Sequence, residues 1–259
     1  MSKATRPYFL QETNWKESRD TDYTMAILPW GCTEAHGLHL PYGTDTFLAT
    51  DVAVKSAEKA WNNGAKCIVL PAIPFGINSG QMEVKLCMNM HPSTQKKIIE
   101  DIIQVLEKNN IKKLVIMNAH GGNNFQPIIR ELSVEYPNIM ICAINWWKVC
   151  NGDLYFNEQG DHAGELETSA MQAIMPDLVL PMEEAGDGAE TKMKIKGFRE
   201  KWAWMPRRWI YVTKDTGVGN PKASTPEKGK KFMDDCIAEI AEFICEFNKI
   251  EDEKELYSI

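Results

Sequence analysis

Residues 34–45 read Glu34-Ala-His36-Gly-Leu-His39-Leu-Pro-Tyr-Gly-Thr-Asp45, and they hold two of the chain's five histidines together with two carboxylates. Two more histidines stand in equally polar, glycine-bearing settings: His120 in Asn118-Ala-His-Gly-Gly-Asn123, and His162 in Asp161-His-Ala-Gly-Glu165-Leu-Glu167. Imidazoles and carboxylates on glycine-rich turns suit a divalent-metal site, because the ligands must converge and the backbone must bend tightly. The chemistry such a site performs most readily on a polar bond is hydrolysis.

Each motif also has a plainer reading. In Glu34-Ala-His36 the i, i+2 spacing puts both side chains on one face if the backbone is extended. Asp45 opens a helix, where its carboxylate is favoured by the helix dipole and can bridge two cations, or merely cap the helix. His120 follows four apolar residues and precedes Gly121-Gly122, which is either a tight strand-to-helix turn or a backbone that approaches a ligand closely. On a helix, His162 and Glu165 (i, i+3) share a face and Glu167 does not, but Gly164 leaves it open whether the helix reaches back to His162. The plain alternative there is an acidic helix N-terminus.

His39 is expected to orient a neighbouring ligand or to pack against its turn, and His91 before Pro92 is expected to have no chemical role. Trp146, Trp147, Trp202, Trp204 and Trp209 either wall a pocket for a flat substrate or serve packing. Cys32 reads as packing, since nothing beside it in sequence makes it a distinctive nucleophile. No Gly-x-Ser-x-Gly elbow, P-loop or Gly-x-Gly-x-x-Gly is present, which argues against serine hydrolases, NTPases and dinucleotide enzymes.

The elements that must position these residues alternate between strand and helix patterns. Met25–Pro29, Cys67–Leu70, Leu114–Met117 and Ile139–Ile144 read as buried strands. Helical spacing covers Thr44 to Trp61, the stretch from Pro92 through Leu106, Phe125 to Tyr136, Gly164–Met175, and the run through Phe232, Cys236, Ile240, Ile244 and Phe247. A further short strand is expected at Val84–Met88, and Glu183–Pro226 is irregular. The alternation implies an α/β fold, a mostly parallel sheet with helices on both faces, in which ligands bind beyond the carboxyl ends of the strands. The Glu34/His36 and His120 motifs each begin where a predicted strand stops, so both fall on one rim.

Composition narrows the classes further. With 259 residues, 44% hydrophobic and 25% charged, the chain reads as one globular α/β domain over 1–259. A formal charge of −7 without a basic block makes nucleic acid and anionic membranes poor partners. No apolar run is long enough to span a bilayer, and the N-terminal residues lack the apolar core of a secretory signal. The seven cysteines form no Cys-x-x-Cys pair, so a reducing cytoplasm is the expected location.

These residues resemble a known family. Gly31-Cys-Thr-Glu34-Ala-His36-Gly-Leu-His39-Leu-Pro-Tyr-Gly-Thr-Asp45, Asn118-Ala-His120-Gly-Gly-Asn123 and His162-Ala-Gly-Glu-Leu-Glu167-Thr-Ser look like the creatininase (creatinine amidohydrolase) family, from near the N-terminus to about Met182, with weaker similarity in the last helix. The resemblance implies a three-layer αβα fold, a closed homo-oligomer (a hexamer in many members) and two divalent metal ions per chain, zinc before manganese or iron. It further implies that Glu34 and His120 bind one metal, His36 the other, and Asp45 both. A metal-bound hydroxide would then attack the amide carbonyl of a small-molecule substrate while His162, the catalytic histidine, passes a proton to the leaving nitrogen.

The chain departs from the family pattern at three places. Gly122 stands where creatininases carry a glutamate ligand to the second metal, and Gly121 where they carry an aromatic. Glu158 and Gln159 replace a tryptophan and an aspartate. Glu167 is the expected replacement ligand, with Glu165 its competitor on spacing and, beside His162, a catalytic candidate. These departures disfavour creatinine as the substrate. Members that share the Ala-His-Gly-Gly-Asn form include deformylases acting on formamides of pyrimidine nucleotides and a peptidase trimming a redox-peptide precursor. A non-catalytic, metal- or metabolite-binding relative is the remaining alternative.

Overall fold

The structure is a computed structural model that describes residues 5–158 and 160–257; Gln159 lies outside them. Its centre is a sheet of four parallel strands, β1 (Met25–Trp30), β2 (Cys67–Val69), β3 (Lys113–Asn118) and β4 (Met140–Asn145), in the order β2-β1-β3-β4. Every residue of β1, β2 and β3 is buried, whereas β4 at the edge is half-buried. Near-continuous apolar runs are what strands covered on both faces require.

Side chains of successive strand residues point to opposite faces, and the two cores follow that rule. Met25 and Ile27 of β1 and Val115 and Met117 of β3 enter one core; Ala26, Leu28, Leu114 and Ile116 enter the other. The helices, in chain order, are α1 (Trp15–Ser18), α2 (Thr44–Asn62), α3 (Pro92–Lys108), α4 (Phe125–Glu135), α5 (Glu165–Ile174), α6 (Lys196–Arg199), α7 (Trp209–Val212) and α8 (Pro226–Lys249). Apolar residues of α2, α5 and α8 cover the first face, and those of α3 and α4 the second, which gives the three αβα layers.

Local chemistry accounts for these helices. The face of α8 carrying Phe232, Cys236, Ile240, Ile244 and Phe247 is buried, each large side chain contributing about 1.5–3 kcal/mol. Thr225 caps that helix by accepting from the Lys228 backbone N–H, and Pro226 occupies its first turn. Pro92 likewise opens α3, behind an extended His91 whose side chain makes no capping bond.

One sequence expectation needs correction. Val84–Met88 is not a strand: Val84 and Cys87 donate to the carbonyls of Gln81 and Val84 in consecutive turns, and Leu86 has φ 63°, which a strand does not tolerate. The helix after His162 starts at Glu165, with Gly164 extended at its N-cap (φ −85°, ψ −161°), so His162 stands outside it. The irregular stretch 183–226 carries only α6, α7 and a 3-10 turn at Pro221–Ala223. Among the described residues no helix is long and apolar enough to cross a membrane.

The amino end of α2 is packed hard against the exit of β1. A Cβ at Gly31 would lie 2.5 Å from the Thr46 backbone nitrogen, so only glycine permits the approach. Gly31→Ala is therefore expected to push the first turn of α2 outward and lower stability by about 1–3 kcal/mol, read as the urea unfolding midpoint.

Candidate metal centre

Strand order sets where the chemistry can sit. From β1 the chain crosses to β2 on one side through α2, and β3 lies on the other side, followed by α4 on the opposite face. The β1–β3 junction is thus the point where the winding reverses and a crevice opens beyond the carboxyl ends. Trp30 and Asn118 pair in register, as do Asn118 and Asn145. The chain therefore leaves all three strands at the same level, delivering Glu34 and His36 from β1 and His120 from β3. The first turn of α2 adds Asp45, and the turn before α5 adds His162.

Three imidazoles are oriented by one device. His36 Nδ1 lies 3.1 Å from the Glu34 carbonyl oxygen, His120 Nε2 2.9 Å from that of Ile77, and His162 Nε2 2.8 Å from that of Ala35. A carbonyl only accepts, so each of these ring nitrogens donates and the other nitrogen is turned inward. Those second nitrogens face carboxylates. His36 Nε2 is 3.0 Å from Asp45 Oδ1, and His120 Nδ1 is 2.8 Å from Glu34 Oε1 and 3.1 Å from Asp45 Oδ2. His162 Nδ1 is 3.8 Å from Glu34 Oε1. The two oxygens of Asp45 thus face different histidines.

Glu34 and Asp45 are 2% and 1% exposed. Burial alone would raise both carboxyl pKa values, but His120 and His36 reverse the direction and hold both below the usual range. Burial likewise opposes charge on His36, yet the Asp45 carboxylate outweighs it and pushes the imidazole up to about 10. His120 is raised in the same way by Glu34, against its own burial. His39 goes the other way, to about 4, because burial dominates and the nearby His36 adds repulsion.

The donor set fits divalent cations. Ligand atoms of Cys32, Glu34, Asp45 and His120 lie within 4.8 Å of one another, as do those of Glu34, His36 and His162, and those of His36, Asp45 and Glu167. Asp45 Oδ2 is buried and has no hydrogen bond of acceptable geometry. A buried carboxylate oxygen without one is costly unless a cation takes its place.

Glu167 reaches this cluster, its Oε2 accepting the Ala163 N–H at 2.5 Å. Ala163 holds φ 50° to present that N–H. Glu165 does not reach it, which corrects the catalytic expectation. Its Oε2 accepts the Asn157 and Glu158 N–H groups, each at 2.9 Å, and its Oε1 takes Lys228 Nζ at 2.5 Å. The carboxylate that spacing favoured ties α5 to α8 because the helix begins three residues after His162. His39 Nε2 bonds the Thr168 hydroxyl at 2.9 Å and touches no cluster carboxylate.

Amide side chains position the cluster; Gln81 and Gln95 carry no sequence signal of their own, whereas Asn118 and Asn123 bound the second motif. Gln81 Nε2 donates to Glu34 Oε2 at 2.7 Å from the 3-10 turn Ser79–Gln81, ahead of the segment expected to be a strand. Asn118 bonds Asn145, Asn123 and the His120 backbone, and Asn123 Oδ1 accepts from Gln95 and the Ile77 N–H. The Ile77 carbonyl that anchors His120 is thereby fixed from the far side of the loop.

Above the cluster lies a cavity of about 1170 Å³ whose wall includes Trp146, Trp147, Trp204 and Trp209, but not Trp202. His162 sits at its base, edge-on to Trp209 with ring centroids 4.8 Å apart. Val218 grips the His162 backbone through a short antiparallel bridge. Arg207 lies over Trp209 and pairs with Asp161 at 2.6 Å. The irregular stretch thus forms one wall of the cavity.

Comparison with known proteins agrees with this geometry. The Creatininase (creatinine amidohydrolase) family profile matches residues 11–244. The chain belongs to the creatininase family. It is 26% identical to the creatinine amidohydrolase of Pseudomonas putida over 95% of this chain and 98% of that protein. It is also 26% identical to the mycofactocin precursor peptide peptidase of Mycobacterium ulcerans (strain Agy99), over 88% of this chain and 89% of the relative. A crystal structure of a candidate creatinine amidohydrolase from Bacteroides fragilis NCTC 9343 superimposes with TM-score 0.92 at 41% identity, covering 98% of this chain and all of that one.

Within the creatininase family, the departure at Gly122 has a steric cause in this chain. A Cβ there would lie 2.3 Å from the Ile77 carbonyl oxygen and 2.4 Å from His120 Nε2, on top of the bond that anchors His120. Gly122→Glu is therefore expected to lower bound metal, measured by elemental analysis, rather than to restore a family ligand. The carboxylates facing the inward nitrogens of His36 and His120 raise both imidazole pKa values, so a proton competes with any cation for these nitrogens. Because both pKa values are raised, zinc affinity is expected to climb as pH rises from 6 toward the His36 value of about 10, with proton release seen as buffer-dependent enthalpy in calorimetry.

Proposed function

We propose that this chain is a metal-dependent amidohydrolase that cleaves a C–N amide bond, as in a cyclic amide or a formamide, of a small molecule. The observation that carries the reading is the buried carboxylate cluster at the base of a cavity, faced by three imidazoles whose outer nitrogens are already engaged by backbone carbonyls. We assign Glu34, Asp45 and His120 to one divalent ion and His36, Asp45 and Glu167 to a second, with zinc favoured by the mixed nitrogen and oxygen donors and manganese or iron as the other choices. When bound, the ions supply Lewis acidity toward the amide carbonyl and activate a water as nucleophile.

The protein's own groups do the rest. His162 holds its ring by the Ala35 carbonyl and keeps Nδ1 for proton transfer. From there it can take a proton from the attacking water and return it to the leaving nitrogen. Trp209 packs on the edge of that ring and narrows the positions it can adopt. The tryptophans around the cavity exclude water and offer flat apolar faces to a planar amide.

A second reading is favoured by one observation: the cavity, about 1170 Å³, is larger than a small cyclic amide needs. It admits the end of a peptide, in line with the similarity to a precursor-peptide peptidase.

His162→Ala separates proton transfer from ligation, since His162 also lies within reach of Glu34 and His36. As a proton carrier, its loss lowers kcat by about 10²–10⁴ with bound metal unchanged. A drop in metal content would make it a ligand instead. Asp45→Ala is expected to remove metal and activity together, and retention of the full metal complement would overturn the proposal. A panel of amides, formamides and short peptides then chooses between the two substrate classes.

A further inference from the structure

We propose that the Cys32 thiol is a fourth protein ligand to the cation held by Glu34, Asp45 and His120, and that it selects a thiophilic ion at that position. The inference rests on the metallohydrolase reading for the presence of the ion, but not for the identity of its ligands.

Cys32 is fully buried two residues before Glu34, just past the end of β1. Its sulfur belongs to the four-residue group in which all ligand atoms lie within 4.8 Å of one another, and it reaches the His120 ring. Its hydrogen bond, to the Met88 carbonyl oxygen, is long at 3.9 Å. In the same cluster Asp45 Oδ2 is buried, with His120 Nδ1 3.1 Å away but not aligned for a hydrogen bond. Sulfur and nitrogen ligands of a tetrahedral zinc stand about 3.6 Å apart, given Zn–S near 2.3 Å and Zn–N near 2.05 Å. Drawing the four donors together by about 1 Å or less therefore brings all of them within bonding range of one ion, and a fifth position stays open for water.

The four donors leave three different segments, the β1 exit, the first turn of α2 and the β3 exit, and converge to within 4.8 Å of one another. As the sulfur–metal bond forms, the S–H proton passes to solvent. The thiolate and Glu34 then balance the dication, leaving Asp45 to be shared with the second position. That second set, His36, Asp45 and Glu167, contains no sulfur. The two positions thus differ in softness, and the Cys32 position favours zinc over manganese.

Cys87 is the natural control. It lies near Glu34, but its sulfur accepts the Ala35 N–H at 3.2 Å and donates to Gln81 Oε1 at 3.3 Å, and it is absent from the metal-capable groups among the described residues.

The test is X-ray absorption on the zinc-loaded full chain, together with optical spectra of the cobalt(II)-loaded chain. We expect a sulfur shell at about 2.3 Å around zinc and a sulfur-to-cobalt charge-transfer band in the near ultraviolet. Both should be lost in Cys32→Ser and kept in Cys87→Ser. Competition between zinc and manganese should show the zinc preference of Cys32→Ser reduced by about tenfold or more. Bound ions with only nitrogen and oxygen shells at about 2.0–2.2 Å in the unmodified chain overturn the Cys32 assignment and leave the hydrolase reading standing. Failure to bind either ion overturns both. The unmodified chain decides the question even if Cys32→Ser does not fold.

Discussion

Two carboxylates, Glu34 and Asp45, sit almost entirely out of water, and the surrounding fold answers that cost. An isolated buried carboxylate is too unfavourable to persist charged, so positive charge must be brought to it and held. The protein does this with imidazoles fixed by main-chain carbonyls rather than with flexible lysines or arginines. The arrangement works because a ring pinned at one nitrogen has no freedom to swing the other away. Asp45 adds the amino end of α2, whose dipole favours a carboxylate in the first turn.

The scaffold follows from this need. Parallel strands ending level put two loops side by side at the β1–β3 reversal, and the close packing allowed by Gly31 lets α2 begin beneath them. A lattice of asparagine and glutamine amides behind His120 holds the Ile77 carbonyl in place. Amides suit this position because they donate and accept at once without adding charge to a cluster that already carries too much.

Much of this was legible in the sequence. The strands were marked by apolar runs, because a doubly covered strand must be apolar throughout, and the helices by one-sided apolar spacing. Glu34, His36, Asp45 and His120 stood out because few other functions place imidazoles and carboxylates on glycine-bearing turns. What could not be read was direction. Helical spacing favoured Glu165 over Glu167, but that argument needed the helix to include His162, and the left-handed turn at Ala163 breaks it. Val84–Met88 has strand-like composition, yet the segment forms turns with Leu86 in the left-handed region, following the turn from which Gln81 reaches Glu34. Cys32 looked like packing because its proximity to His120 is created only by the β1–β3 pairing. The wall formed by residues 183–226 was invisible for a related reason. Irregular chain is ordered by what it touches, as Val218 touches His162, and not by a repeating pattern.

The bridge between Val218 and His162 also bears on the order of assembly. Glu34, His36 and Asp45 are synthesised well before Glu167, and His162 is not gripped until Val218 has followed. The cluster is therefore complete only after the chain has been made past Val218 and its segments have folded together. An ion that takes Asp45 and Glu167 together can therefore be held only after the later segments have folded against the earlier ones, beside the wall that carries Trp204 and Trp209.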